Sequence, residues 1–444
     1  MNLLTQLSKY FFIFLILLFT LRDYTYLARK KEEKRRKILH GQIFILSVFE
    51  IFGFLIIYVH TQEILVPVLL VGILAYDALT LAGYRLLYPK SSMLLVNNML
   101  MLLGIGFIMI ARLNLSQALK QFVIAAGGTV IAFLIPVIIR RLRVLERLTW
   151  LYAALGLLAL AGVLALAAVS GGAKLSVTVG GVTIQFSELV KITLVFFMAA
   201  KLAQSTSFRS VAVTTVIAAL HVIILVLSTD LGTALVFFIT YVVVVFVAAH
   251  NVLYPIAGLS GGVLASIAAY FLFGHVRQRV TAWKDPFAVY ANEGYQIVQG
   301  LFAIGAGGWF GMGLMNGAPK TIPVASKDYI FAAICEEFGA VFCIALILIC
   351  MNTFLLIVNI SMQIRNRFYK LVAVGLGTEY AFQVFLTIGG VTKFIPLTGI
   401  TLPLVAYGGS SVISTIIMLA IVQGMYMLRE DEGEELERLQ RYAG

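Results

Sequence analysis

STDLGTALVFFITYVVVVFVAAH, residues 228–250, holds nineteen consecutive residues (231–249) without a charged side chain. At 1.5 Å per residue a helix of that length covers about 28 Å, close to the roughly 30 Å of a bilayer's hydrocarbon core. The run is continuous rather than alternating. That pattern speaks against a barrel, whose strands alternate apolar and polar side chains over about ten residues. Runs of the same kind recur near 10–27, 42–60, 64–83, 93–111, 119–139, 149–170, 187–203, 210–228, 253–273, 330–360, 370–391 and 402–428, about thirteen spans in all. Arg22 and Asp23 interrupt the first, and the 330–360 stretch is long enough to be tilted.

The composition of the 444-residue chain agrees. Hydrophobic residues make up 61% and charged residues 12%, about half the charge of a soluble domain. Mean hydropathy is +0.98. These values exclude a soluble globular enzyme, a disordered chain and a disulfide scaffold. The expected fold is an all-α polytopic membrane protein.

The net charge of +12 sorts by position. Arg29, Lys30, Lys31, Lys34, Arg35, Arg36 and Lys37 follow the first span, as expected of a cytoplasmic loop. Alternation then puts the arginine- and lysine-bearing loops 84–92, 140–148, 201–209 and 361–369 on the same side. The opposite connections 61–63, 171–186 and 229–230 hold one lysine among them. The N-terminus is expected outside and the C-terminus inside. The positive charge thus reads as topology, with anionic lipid as a secondary partner, and no nucleic acid is implied. Cys335, Cys343 and Cys350, spaced by eight and seven residues, read as small buried side chains along one helix face. No disulfide frame and no zinc pattern are indicated.

With this topology the long connection 274–329 lies outside, and the chemistry collects there and at nearby span ends. Glu188 and Lys191 share a helix face at i,i+3, where ionisable groups are either functional or mutually paired. Asp230, in STDLGTA, could cap the next helix, or serve as a carboxylate that orients a base or binds a cation. Arg277, Arg279 and Asp285 stand in HVRQRVTAWKDP. A carboxylate flanked by arginines suits a general base beside a phosphate-bearing substrate, while Asp285–Pro286 alone could be a turn. The glycine-rich GYQIVQGLFAIGAGGWFGMGL (294–314) does not fit a P-loop and reads as a membrane-surface or re-entrant segment. Lys327 and Asp328 stand at a span entrance, with Glu336 and Glu337 about two turns inside, where they need partners or protonation. Lys393 precedes Pro396, Pro403 and the Gly408–Ser411 run, which break the helix there. The closing REDEGEELERLQ is a charged helix candidate.

The strings QFSELVK (185–191), STDLGTA (228–234), GYQIVQGLFAIGAGGWFGMGL, DYIFAAICEEFG (328–339) and IPLTGITLPLVAYGGSS (395–411) together resemble the SEDS family, which includes FtsW, RodA and SpoVE. The resemblance implies a ten-span core over 91–428, an N-terminal extension of about three spans over 1–90, and a cytoplasmic tail over 429–444. It further implies a peptidoglycan glycosyltransferase of the bacterial plasma membrane. Such an enzyme polymerises lipid II at the outer face, with the growing glycan on undecaprenyl pyrophosphate and a class B penicillin-binding protein as partner. Asp285 is then the implied catalytic base. Glu188, Lys191, Asp230, Arg277, Arg279, Asp328 and Lys393 support the site, and Mg2+ or Mn2+ could share in neutralising the leaving group. A non-catalytic scaffold and a lipid II flippase are the alternatives. The chain departs from the family pattern in three places. Phe186 stands for the usual proline. WKDPFAVYANEGYQ stands where many relatives read NPxxDPxGxGYQ, so a gap-free alignment puts Val289 on the later aspartate, whereas a four-residue shift brings Asp285 onto it. Ser326–Lys327–Asp328 stands for His-Thr-Asp.

Overall fold

The computed structural model describes residues 3–166, 177–179, 182–292 and 294–443. It is almost entirely helical, with one small hairpin. The helices are α1 (Leu3–Ala28), α2 (Glu32–Thr61), α3 (Leu65–Leu87), α4 (Met93–Leu113), α5 (Leu115–Ala132), α6 (Ile135–Arg141), α7 (Thr149–Leu166), α8 (Phe186–Gln204), α9 (Phe208–Leu227), α10 (Leu231–Ala249), α11 (Leu253–Leu272), α12 (Gly274–Lys284), α13 (Tyr295–Gly307), α14 (Ile330–Gln363), α15 (Arg367–Val391) and α16 (Gly409–Ala443). Strands β1 (Val177–Val179) and β2 (Val182–Ile184) pair antiparallel, Val177 opposite Ile184, inside the connection expected to be plain loop. Residues 167–170 of the expected sixth span, and 171–176 and 180–181 of the connection after it, lie outside the described residues.

Eleven of the described helices are long and apolar enough to cross a membrane. The multi-pass all-α architecture read from hydropathy is therefore the one observed. The two expected spans outside that set are α7, whose described part is short, and α8, which carries Glu188, Lys191 and Lys201. The expected span at 119–139 is two helices. The break at Phe133–Leu134 precedes Pro136, which has no N–H to donate and is tolerated in a first turn. The last span starts at Gly409 rather than 402. The charged tail is a continuation of α16, not a separate helix.

The chain forms two compact units, one of residues 1–127, 275–353 and 384–408, the other of 128–274, 354–383 and 409–444. In the first, α2 packs on α1, α3 and α4, so residues 1–90 share a unit with α4 and the 275–329 connection. Phe12 is fully buried, its ring 5.1 Å from Phe338 and 5.3 Å from Phe49. Asp23, expected to weaken the first span, is fully buried inside α1 and accepts a 2.7 Å hydrogen bond from Gln42 Nε2.

The long stretch at 330–363 is broken rather than simply tilted. Gly339 takes φ 84° and ψ 171°, a backbone region open to glycine alone. The glycine-rich run lies in the opening. Met312 and Gly313 N–H groups donate to the Glu336 and Glu337 carbonyls at 2.9 and 2.8 Å, and the Ala340 and Val341 N–H groups donate to Gly308 and Trp309 at 2.9 and 3.1 Å. Backbone groups released by the break thus find partners, as buried groups must. The approach is close enough that a Cβ on Gly311 would meet the Glu337 oxygen at 2.3 Å.

In the second unit α8 packs on α7, α9, α10 and α16, and α6 packs on α16. Arg140 grips Asp431 with two hydrogen bonds of 2.6 and 2.9 Å, Glu432 accepts from the Arg365 N–H, and Arg429 donates to Gln363. The 140–148 and 361–369 connections therefore meet the C-terminal tail. Helix α11 has no buried residue. It leans on α10, where a Cβ on Gly262 would meet the Phe238 ring at 2.5 Å.

Candidate active site

Of the sequence-derived polar residues, Glu188, Lys191 and Asp230 meet in the second unit, and Arg279, Asp328 and the Lys393 backbone meet in the first. In the second unit the cluster sits where α8, α10 and α16 begin. Gln185 ends the hairpin in an extended conformation and donates its N–H to Ser410 Oγ at 2.9 Å. Asp230 caps α10, accepting from the Thr233 N–H at 3.2 Å through Oδ1. Its Oδ2 accepts from Ser187 Oγ at 3.1 Å and Gln185 Nε2 at 3.4 Å. Loss of solvent pushes the Asp230 carboxyl above its usual range, the hydrogen bonds from Thr233 and Ser187 hold it down, and nearby Glu188 adds to the rise. Of the two roles open to Asp230, helix capping is the one its geometry displays.

One turn into α8, Lys191 Nζ lies 2.7 Å from Glu188 Oε2 and donates to Gln383 Oε1 at 2.7 Å. Glu188 Oε2 also accepts from Ser414 Oγ at 3.0 Å. Glu188 and Lys191 are buried, as is Glu379 on α15, whose Oε1 has no hydrogen-bond partner among the described residues. Glu188, Lys191, Glu379, Gln383, Ser414 and Thr415 line a cavity of about 10 Å3, room for a single water. Glu379, Gln383 and Ser414 were not singled out in the sequence. The available signal was their place: a carboxylate and an amide inside an apolar span are expensive unless paired or used.

In the first unit the cluster forms where α12 meets the 393–401 turn. Arg279 Nη1 donates to the Thr398 carbonyl at 3.0 Å and the Leu397 carbonyl at 3.4 Å. Trp283 Nε1 donates to the Lys393 carbonyl at 3.1 Å. Lys393 therefore contributes through its backbone, in the left-handed region at φ 61°. Asp328 closes the group: a Cβ on Gly399 would lie 3.8 Å from both Arg279 Nη2 and Asp328 Oδ2. Burial raises the Asp328 carboxyl above its ordinary range, and the charges of Lys327 and Arg279 pull it back. Arg277 lies on the exposed side of α12.

Asp285 follows the last turn of α12 and is exposed. Its Oδ1 accepts from the Ala288 N–H at 3.1 Å, the Asp-Pro turn foreseen as the structural alternative. Its second carboxylate oxygen holds none of the hydrogen bonds that fix this turn. Val289, on which the gap-free alignment places an acid, uses its carbonyl to receive the Asn292 and Gly294 N–H groups. The adjacent carboxylates of α14 find partners in the same unit. Glu337 is paired with Arg112 Nε at 2.9 Å, Arg112 also donates to the Gly317 carbonyl at 3.0 Å, and Glu336 accepts from the Ala318 N–H at 2.9 Å. Among the described residues no three His, Cys, Asp or Glu side chains are grouped to hold a metal ion. The donors best suited to a hard cation are the Glu188 and Glu379 carboxylates, with the unpartnered Glu379 oxygen at the cavity.

Comparison with known proteins gives consistent matches. Residues 91–430 match the cell cycle protein family FtsW/RodA/SpoVE. The peptidoglycan glycosyltransferase RodA of Mycobacterium tuberculosis (strain ATCC 25618 / H37Rv) is 35% identical over 363 residues, 75% of this chain and 77% of that protein. Stage V sporulation protein E of Bacillus subtilis is 34% identical over 276 residues, covering 60% and 72%. Among solved structures, a chain from a study of polymerization and crosslinking by a peptidoglycan synthase complex aligns with TM-score 0.65 at 25% identity, over 76% of this chain and 98% of that one. The crystal structure of the rod shape determining protein RodA of Thermus thermophilus shares the fold, with TM-score 0.58 at 24% identity over 77% and 98%.

Proposed function

The chain belongs to the FtsW/RodA/SpoVE family of cell cycle proteins and is a peptidoglycan glycosyltransferase of the bacterial membrane; from that premise we propose that it polymerises lipid II into glycan strands at the outer face. The observation that carries this reading is the cluster at the starts of α8, α10 and α16. There a buried cation, Lys191, is held by Glu188 and Gln383 next to the Asp230 cap. A fixed, dehydrated cation suits a step in which negative charge develops on a departing pyrophosphate.

Asp285 is the proposed general base. With one oxygen engaged by Ala288 N–H, its other oxygen takes the proton from the 4-hydroxyl of the acceptor sugar as that hydroxyl attacks the donor anomeric carbon. The lipid pyrophosphate leaves with inversion. Arg277 and Arg279 supply phosphate-binding charge on α12, and the Asp328 carboxylate lies near Arg279. Lys393 holds Trp283 through its carbonyl. A divalent cation, Mg2+ or Mn2+, would take oxygen donors from Glu188 and Glu379 and add positive charge for the leaving group. The proposed partner is a class B penicillin-binding protein. Support comes from the structural relative studied as part of a peptidoglycan synthase complex. The charge asymmetry of the loops supports an N-terminus outside and a C-terminus inside.

The test is glycan polymerisation from labelled lipid II by the purified protein, with and without the partner. General-base removal typically costs 10²–10⁴-fold, so well-folded Asp285→Ala should lose at least about a hundredfold. Full activity in Asp285→Ala with loss in Asp328→Asn would transfer the base to Asp328. Wild-type protein that binds the partner and leaves lipid II unpolymerised would establish the scaffold reading, which the gap-free alignment, with Val289 on the family's acidic position, favours.

A further inference from the structure

Cys335 and Cys343 are eight residues apart in α14, a separation of about 12 Å along an unbroken helix. Their sulfurs nevertheless lie 2.9 Å apart. The reason is Gly339, four residues from each, where the backbone leaves the helical region and the two halves of α14 change direction. Both thiols are buried. The ladder from Gly308–Gly313 fixes the opened turn through backbone hydrogen bonds, so the sulfurs meet in a framework that is already held. A disulfide needs about 2.05 Å between sulfurs, which requires an approach of under about 1 Å from the observed distance.

We propose that Cys335 and Cys343 form a redox-modifiable dithiol, which hydrogen peroxide converts into a disulfide that clamps the break in α14. Hydrogen peroxide is small and uncharged, so local openings of the packing are enough to admit it. One thiol loses its proton and its sulfur attacks a peroxide oxygen; the O–O bond breaks, the departing hydroxide takes up that proton as water, and a sulfenic acid is left. The second sulfur displaces the sulfenic oxygen, forming the S–S bond and releasing a second water. Two thiols and one peroxide thus give one disulfide and two waters, the two electrons passing from sulfur to oxygen. Cys350, seven residues further on, stays outside this reaction and serves as an internal reference.

The full-length protein in detergent is treated with hydrogen peroxide, quenched, denatured, alkylated with a maleimide and weighed intact. The expected result is three adducts without peroxide, one after peroxide, and three again after dithiothreitol. Cys350→Ser should still lose two adducts, and Cys343→Ser should keep both of its own. The clamp also predicts a reversible rise in the thermal midpoint of oxidised wild type and none in Cys343→Ser. Three adducts after peroxide, loss of adducts in Cys343→Ser through Cys350, disulfide-linked dimers, or an unchanged midpoint would each overturn the proposal.

Discussion

Replacing Lys191 with methionine isolates the charge logic of the second unit. The ammonium contacts Glu188 Oε2 and Gln383 Oε1, both at 2.7 Å, and only 8% of either charged side chain is exposed. At 2.7 Å and an effective dielectric of about 20 the gross attraction is roughly 6 kcal/mol, most of it offset by the cost of dehydrating both ions. Removing one ion forfeits the attraction and leaves the other's dehydration uncompensated, a loss of about 3–5 kcal/mol. Glu188→Gln/Lys191→Met removes both charges and keeps an amide for Ser414 to donate to, so it should cost under about 2 kcal/mol. The double variant is thus expected to be more stable than Lys191→Met by at least about 1 kcal/mol, whereas additive effects would make it less stable. Equilibrium unfolding in mixed micelles reads the stabilities, and lipid II polymerisation on the same samples reads function. The double variant should regain stability without regaining activity, because the cation proposed for the leaving group is gone. Additivity within about 0.5 kcal/mol would refute the argument that the pair is held by mutual neutralisation, and restored activity would remove Lys191 from the chemistry.

Two other outcomes follow from particular contacts. The folded state raises the Asp328 carboxyl and so binds its proton more tightly than the unfolded chain does. This contribution is fully present below about pH 3.9 and is lost as pH climbs through the raised value; Asp328→Asn should therefore gain thermal stability relative to wild type at pH 8 but not at pH 4. Phe12→Ala, which empties the contact with Phe338 and Phe49, should cost about 3 kcal/mol, the low end for phenylalanine truncation, and a loss under about 1 kcal/mol in the same unfolding assay would show that α1 is not docked there.

Hydropathy located the helices because continuous apolar runs have one physical solution in a bilayer. It could not locate the breaks, which depend on a single residue's backbone. Gly339 looks like any of the 38 glycines; only its pairing with 308–313 forces φ 84°. The same break brought two cysteines, read as separate small side chains, into contact. Motif strings found Glu188, Lys191 and Asp230 because the three are close in sequence to span ends. Their partners Gln383 and Ser414 lie in distant helices, where no local pattern announces them. Asp23 counted against a span when read alone, whereas its partner Gln42, nineteen residues on, makes it part of the interior.

Helix α11 makes its own demand on the surroundings. Its twenty residues rise about 30 Å, the thickness of an average hydrocarbon core. None of its side chains is buried, and lipid tails are as apolar as they are, so no internal core fixes its depth. Beyond its packing on α10, its length matches it to the bilayer, at a fraction of a kcal/mol per ångström of mismatch. A bilayer thinner or thicker than this helix is therefore met by tilting of the helix or by local adjustment of the lipid around it.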